Sequence, residues 1–261
     1  MDDPSLLRLL CFFLGFALCA VWEYLRPRRM LTQDKSTRWI NNLGLIVLNN
    51  FVLLFLPIVA FQAAYVADER QLGLFNQVSV PFVVEVLICV LLLDLFIYLQ
   101  HLIFHRIPLL WKLHRMHHSD QDIDVTTAAR FHPIEILLSM LIKIGCVMAL
   151  GASPLSVVIF EIVLNVSAMF NHSNATLPDW LDRRLRKVIV TPDMHRVHHS
   201  DIPKETHSNF GFFLSVWDQW FKTYRAQPEQ GQLGCRIGLT QFRSPEEQTI
   251  GRMLTQPFRE Q

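Results

Sequence analysis

The sequence predicts an all-α integral membrane protein. Three spanning helices and a membrane-embedded helical hairpin form a bundle, topped by a cytosolic, histidine-rich helical cap. Three observations carry this reading. Apolar residues make up 51% of the 261 positions and charged residues 18%, a balance displaced from that of soluble domains. The apolar residues are gathered in long blocks, with the charges between them. The 11 histidines all lie between His101 and His207, at the ends of those blocks or outside them. A formal net charge of +1, without a basic stripe interleaved with aromatics, argues against a nucleic-acid partner.

A bilayer core takes about 20 mostly apolar helical residues to cross. Leu6 to Leu25 is the first candidate. It follows Met-Asp-Asp, with no basic n-region or small-residue cleavage site, and so reads as an anchor rather than a removed signal peptide. Ile40 to Ala64 is the second candidate and Val80 to Leu99 the third. The stretch from Ile134 to Phe170 is too long for one crossing and is interrupted by Gly151-Ala152-Ser153-Pro154. It reads as two helices joined by that turn. A soluble helical core would show one apolar stripe per helix, whereas these blocks are apolar nearly all round.

Loop charges set the orientation. Arg26, Arg28, Arg29, Lys35 and Arg38 separate the first two blocks, and Asp68, Glu69 and Arg70 the next two. The positive-inside rule puts the first loop in the cytoplasm and the second outside. The third helix then delivers His101 to the cytoplasmic face, and the hairpin returns to that side with Arg183, Arg184, Arg186 and Lys187. Three regions follow: N-terminal transmembrane helices (1–100), a histidine region (101–232, including the hairpin 134–170) and a polar C-terminal tail (233–261) packing on the cap. The cysteines, odd in number and without a CxxC pair, read as small hydrophobes.

The histidines form three groups: HLIFH (His101, His105), HRMHH (His114, His117, His118) and HRVHH (His195, His198, His199). On a helix, residues three and four apart share a face, so each group is a ready clamp of imidazoles. Thr191-Pro192-Asp193 before His195 reads as a cap, a first-turn proline and a first-turn acid. HRMHHSD and HRVHHSD match in six of seven positions, which suggests two ligand sets with matching roles around one site. Left without a metal, eight such histidines would crowd donors and partial charges together. Imidazole suits iron, zinc and copper, and eight ligands exceed one ion, so two metals follow by count. Glu-x-x-His pairs of soluble di-iron bundles and the HExxH zinc pattern are both absent. Residue types alone leave iron and zinc open.

The series HLIFH, HRMHH, FHP, NHS, HRVHH and NFG resembles the fatty acid hydroxylase/sterol desaturase superfamily, whose signature is HxxxH, HxxHH and HxxHH in that order. The likeness runs from about Asp94 to the end, where GLTQFRSPEEQ and QPF look like bacterial members. It implies a di-iron site facing the cytoplasm, in a bacterial inner membrane, that uses O₂ and a separate electron donor to hydroxylate or desaturate a lipid. Zinc would be a substitute occupant. His101, His105, His114, His117, His118, His195, His198 and His199 match the family's box histidines. His172 in NHS matches a further ligand position, and His132 in FHP a recurrent one, as ligand or supporting donor. Sterols, fatty acyl chains, ether lipids and aminolipid head groups all remain open as substrate. The sequence does not indicate an oligomeric state.

Around these ligands, Asp94 sits seven before His101 and is a candidate acceptor for an imidazole N–H. Asn171, Asn209, Glu135 and His207 are further candidates. Trp217 and Trp220 read as interfacial or core residues, and Tyr98 as interfacial. The alternative function is a non-catalytic metal-binding membrane protein, a transporter or sensor. A transporter would place its ionisable ligands within the membrane, whereas these histidines gather outside.

Overall fold

The computed structural model describes residues 4–260. Its helices are α1 (Pro4–Leu25), α2 (Lys35–Leu53), α3 (Ala60–Glu69), α4 (Phe82–Arg106), α5 (Pro108–His118), α6 (Pro133–Leu150), α7 (Pro154–His172), α8 (Asp179–Leu185), α9 (Pro192–His198), α10 (Pro203–Thr206), α11 (Val216–Trp220), α12 (Gly231–Gly234) and α13 (Ile250–Thr255). Among the described residues the only β-type pairing is isolated bridges. α1, α4, α6 and α7 are long and apolar enough to cross a membrane. Leu6, Phe13, Leu14 and Leu18 of α1 and Val83 and Leu87 of α4 point outward, exposed. A continuous apolar surface of this kind needs lipid around it. The chain is an all-α integral membrane protein.

The expected second span, Ile40–Ala64, is instead two helices. α2 ends at Leu53 and α3 begins at Ala60; Pro57 lies in the break, where it cannot donate a backbone hydrogen bond. α2 is polar on its inner face, burying Arg38, Asn42 and Asn49. Those side chains reach Asp120, Thr126 and the Phe131 carbonyl of the cap. α3 buries Ala60, Ala63, Ala64 and Ala67, a small-residue face that lets its backbone approach α6 and α7 closely.

The hairpin reaches the far end of the bundle. α6 stops at Gly151, which is left-handed (φ 64°). A Cβ on Gly151 would lie 2.7 Å from the Leu72 carbonyl oxygen, and one on Gly73 would lie 2.1 Å from the Gly151 nitrogen. The α6–α7 turn is thus pressed against the α3–α4 loop, backbone to backbone. Glu85 of α4 pins the same end by accepting from Ser153 N, Ser153 Oγ and Ser156 Oγ.

Every histidine group lies at the opposite end. α4 is followed by a single residue, Ile107, before α5 starts on Pro108, so HLIFH and HRMHH are folded directly onto each other. α7 ends on His172. The C-terminal segment closes over α2 and α5: Met253 packs with Leu45 and Met116, and Arg115 Nη2 donates to the Gln256 and Arg259 carbonyls at 2.5 and 2.6 Å.

Candidate metal centre

The fold collects nine buried histidines into two adjoining groups. In the first, one nitrogen from each of His101, His105, His114, His118 and His198 lies within 4.8 Å of all the others; in the second, the same holds for His117, His172, His195 and His199. The two HxxHH segments divide between the groups in opposite senses. His114 and His118, four apart on α5, go to the first group and His117 to the second. His195 and His199, four apart at α9, go to the second and His198 to the first. This crossing is the structural content of the sequence echo. Thr191 caps α9 through Met194 N, with Pro192 at its first position and Asp193 in its first turn, as the sequence predicts.

Hydrogen bonding tests whether the groups fit a cation. His101 Nδ1 lies 2.8 Å from the Phe210 carbonyl and His198 Nδ1 2.6 Å from the Ser208 carbonyl. A carbonyl only accepts, so both Nδ1 atoms carry the proton and both Nε2 atoms are bare lone pairs. Those two Nε2 atoms face each other at 3.0 Å, and His114 Nε2 is 3.1 Å from His101 Nε2. Two lone pairs at that distance repel unless a positive ion lies between them. His105 Nε2 and both ring nitrogens of His118 and His199 are buried without a hydrogen-bond partner. Buried imidazole atoms left in this state are donors toward a metal. Burial, reinforced by neighbouring imidazoles, pushes His117, His118, His195 and His199 well below the usual histidine range. Burial does the same to His198. They are neutral at pH 7, the form that ligates.

The supporting residues differ in part from expectation. Asp94 does not reach His101; it accepts from Trp217 Nε1 at 2.7 Å and Leu214 N at 3.2 Å. Seven residues keep a face but advance about 10 Å along the axis, too far for a direct bond. Glu135, at the start of α6, takes that role on a different ligand, with Oε1 2.6 Å from His114 Nδ1. His132 stands outside both groups. Its Nδ1 caps α6 through Ile134 N, and its Nε2 donates to the Leu254 carbonyl of the tail. His207 borders the first group, Nδ1 to Nδ1 with His105 at 3.2 Å. Asn171 holds the Phe212 carbonyl at 2.9 Å. Asn209, at φ 54°, donates to the Met194 and Arg225 carbonyls and accepts from Arg225 N. It fixes the loop whose carbonyls, at Ser208 and Phe210, orient two histidines.

Sequence reasoning missed the backbone acceptors altogether, including the Ala168 carbonyl 2.7 Å from His172 Nδ1. It also missed the wall of aromatic rings. Phe131 stacks on His117 at 4.5 Å and 7°, Trp111 borders His105 and His118, and Phe212 lies against His101. Behind α5 is a buried polar network. Arg38 holds Asp120 through two 2.9 Å bonds, and Asp124 at 2.5 Å. Burial opposes ionisation of Asp120, yet Arg38 and Arg130 hold its carboxyl down at about 2.

Comparison with known proteins places this arrangement. The model of the family described as "Fatty acid hydroxylase" matches residues 86–223. An ornithine lipid hydroxylase, OlsE, of Rhizobium tropici is 29% identical over 161 residues, 61% of this chain and 47% of the relative. The alkylglycerol monooxygenase of Homo sapiens is 28% identical over 152 residues, 56% of this chain and 32% of the relative. Cholesterol 25-hydroxylase of Rattus norvegicus is 28% identical over 152 residues, 57% and 49% respectively. The aligned part spans about half the length of these relatives or less. No solved structure matches the chain.

Proposed function

The chain belongs to the fatty acid hydroxylase family, and on that premise we propose that it is a di-iron, O₂-dependent lipid hydroxylase of the membrane. The observation that carries the reading is the pair of bare Nε2 lone pairs, His101 and His198, held face to face at 3.0 Å by carbonyls behind them. His101, His105, His114, His118 and His198 would hold one iron, and His117, His172, His195 and His199 the other. Bound iron supplies the oxidising power, with O₂, to break an unactivated C–H bond, which amino-acid side chains lack.

The protein's part is to orient and to keep dry. Carbonyls and Glu135 fix ring tautomers and directions, and Phe131, Trp111 and Phe212 screen the imidazoles from water. The relatives' names, hydroxylase and monooxygenase, favour hydroxylation over desaturation. Because α1, α4, α6 and α7 present apolar faces outward, the substrate is drawn from the surrounding lipid. Electrons come from a separate donor, and the positive loops orient the centre toward the cytoplasm. The test is purified protein assayed for iron and for lipid-dependent O₂ uptake, with lipid profiles of cells that do and do not express it. Two irons per chain, together with a hydroxylated lipid confined to expressing cells, is the expected result. Bound metal with no O₂ uptake on any lipid class would return the protein to the non-catalytic metal binders.

A further inference from the structure

Beside the metal centre, the segment 179–188 and α11 form one hydrogen-bonded surface element that the proposed chemistry does not use. Ser215 N donates to the Val188 carbonyl at 3.0 Å and Ser215 Oγ to the Arg186 carbonyl at 2.8 Å. Gln219 Nε2 reaches the Lys187 carbonyl at 3.1 Å. The element is also clamped to a spanning helix. Trp217 Nε1 bonds Asp94 of α4, Thr223 Oγ1 lies 2.8 Å from the Tyr98 hydroxyl, and the Phe221 ring stacks on Tyr98 at 5.4 Å. Asp94 and Tyr98 lie within α4, which runs Phe82–Arg106 and is apolar enough to span. Measured from Leu99, where the apolar run gives way to Gln100 and His101, they stand roughly 8 and 2 Å inside the span at 1.5 Å per residue. This depth places the element at the boundary of the hydrocarbon and not in bulk water.

Its exposed residues suit that depth. Trp220 is 71% exposed, Val188 55%, Trp180 54% and Phe221 50%, a combination typical of the membrane interface. Beside Trp180 runs an open groove of about 670 Å³ lined by Trp180, Arg183, Arg184, Lys187 and Tyr224, among others. Arg184 lies over the Trp180 ring, 5.3 Å from its centroid. Among the described residues no carboxylate pairs with Arg183, Arg184 or Lys187, while the one buried cation of the group, Arg186, is taken up by Asp182. Three cations without an ion-pair partner among the described residues therefore sit at the headgroup level, with apolar rings beside them at acyl-chain level.

We propose that this element is an interfacial platform in the leaflet on the metal-centre side, and that its groove binds the phosphate of an anionic phospholipid headgroup through Arg183, Arg184 and Lys187. The rings of Trp180, Trp220 and Phe221 seat it in the same lipid layer. The site stands whichever lipid the metal centre oxidises.

The test uses the full chain in nanodiscs of phosphatidylcholine alone or with phosphatidylglycerol, and native mass spectrometry to count retained lipids. Wild-type protein should retain phosphatidylglycerol in preference to phosphatidylcholine. The Arg183→Gln/Arg184→Gln/Lys187→Gln variant should lose that preference, by roughly fivefold for each charge removed, with its metal content unchanged. Independently, Trp220→Phe should lower the fraction of tryptophan fluorescence quenched by brominated lipids. Equal phosphatidylglycerol retention by the two proteins, or quenching indifferent to Trp220, overturns the proposal. Displacement of phosphatidylglycerol by millimolar inorganic phosphate would reassign the groove to a free anion and overturn the lipid assignment.

Discussion

The two histidine groups are built from the same motif but are supported differently. In the first, four of five rings have a partner behind them: the Phe210 carbonyl for His101, His207 for His105, Glu135 for His114 and the Ser208 carbonyl for His198. In the second, only His172 is held, by the Ala168 carbonyl, while Nδ1 of His117, His195 and His199 has no hydrogen-bond partner. A partner on the far nitrogen fixes the ring's direction and raises its basicity. The first group is thus pre-organised for its ion and carries a carboxylate to offset the charge. The second is formed by packing, against Phe131 and its own neighbours. Two sites of like ligands can in this way differ in affinity, and the difference is written in what lies behind the rings.

The sharpest way to break this contrast is to remove one proposed ligand from each side. His198→Ala takes away a lone pair at the centre of the first group, and His172→Ala the only anchored ring of the second. Each variant should remain inserted, lose hydroxylation to background, and retain at most one metal per chain. The retained metal should be the second site's in His198→Ala and the first site's in His172→Ala, read from metal content and spectroscopic signature. Full metal occupancy in either variant would sink the ligand assignment.

Next in size is the carboxylate. Glu135→Ala leaves His114 Nδ1 without its acceptor, and an outer partner of this kind is worth on the order of 10–100-fold in metal affinity. Chelator competition should show that loss at the first site alone. Glu135→Gln, which keeps an oxygen acceptor, should recover part of it. An equal weakening of both sites would mean that Glu135 acts through the general field and not through His114. Metal removal from the unaltered protein should show a smaller effect of the same origin, one ion per chain leaving ahead of the other. A single release phase would mean that the asymmetry behind the rings has no consequence for affinity.

What could be read in advance follows the same division. The spans at α1, α4, α6 and α7 were legible because lipid-facing helices are apolar all round, and the turn at Gly151 because glycine and proline break such a run. Helical spacing puts 114 with 118 and 195 with 199, but it puts 117 and 198 with them too, and only the fold sends each of those to the other group. The continuity of Ile40–Ala64 was misjudged, since hydropathy averages over Asn42 and Asn49, whose roles depend on contacts with residues some 80 positions away, and over Pro57, which falls in the break. Asp94 was misplaced because sharing a face does not mean sharing a height. The carbonyls of Phe210, Ser208 and Ala168 could not be found at all, because every residue has one and only the fold aims it.

The smallest effect bears on how α9 serves both groups. His195 lies in the first turn of this seven-residue helix and His198 at its end. The first turn is held by Thr191, whose hydroxyl accepts from Met194 N at 3.3 Å and donates to Asp182 at 2.5 Å. The last turn has its own fixture, the Ser208 carbonyl on His198. Thr191→Ala removes the cap, which costs about 1 kcal/mol, and should lower the melting temperature by about 2–4 °C. The loosening falls on His195 and hence on the second group, so the faster-leaving metal should leave faster still while the slower is unchanged. Thr191→Ser keeps the hydroxyl and should restore both readings. If Thr191→Ala accelerated the two ions alike, α9 would be moving as one body, and the independence of its two ends would have to be given up.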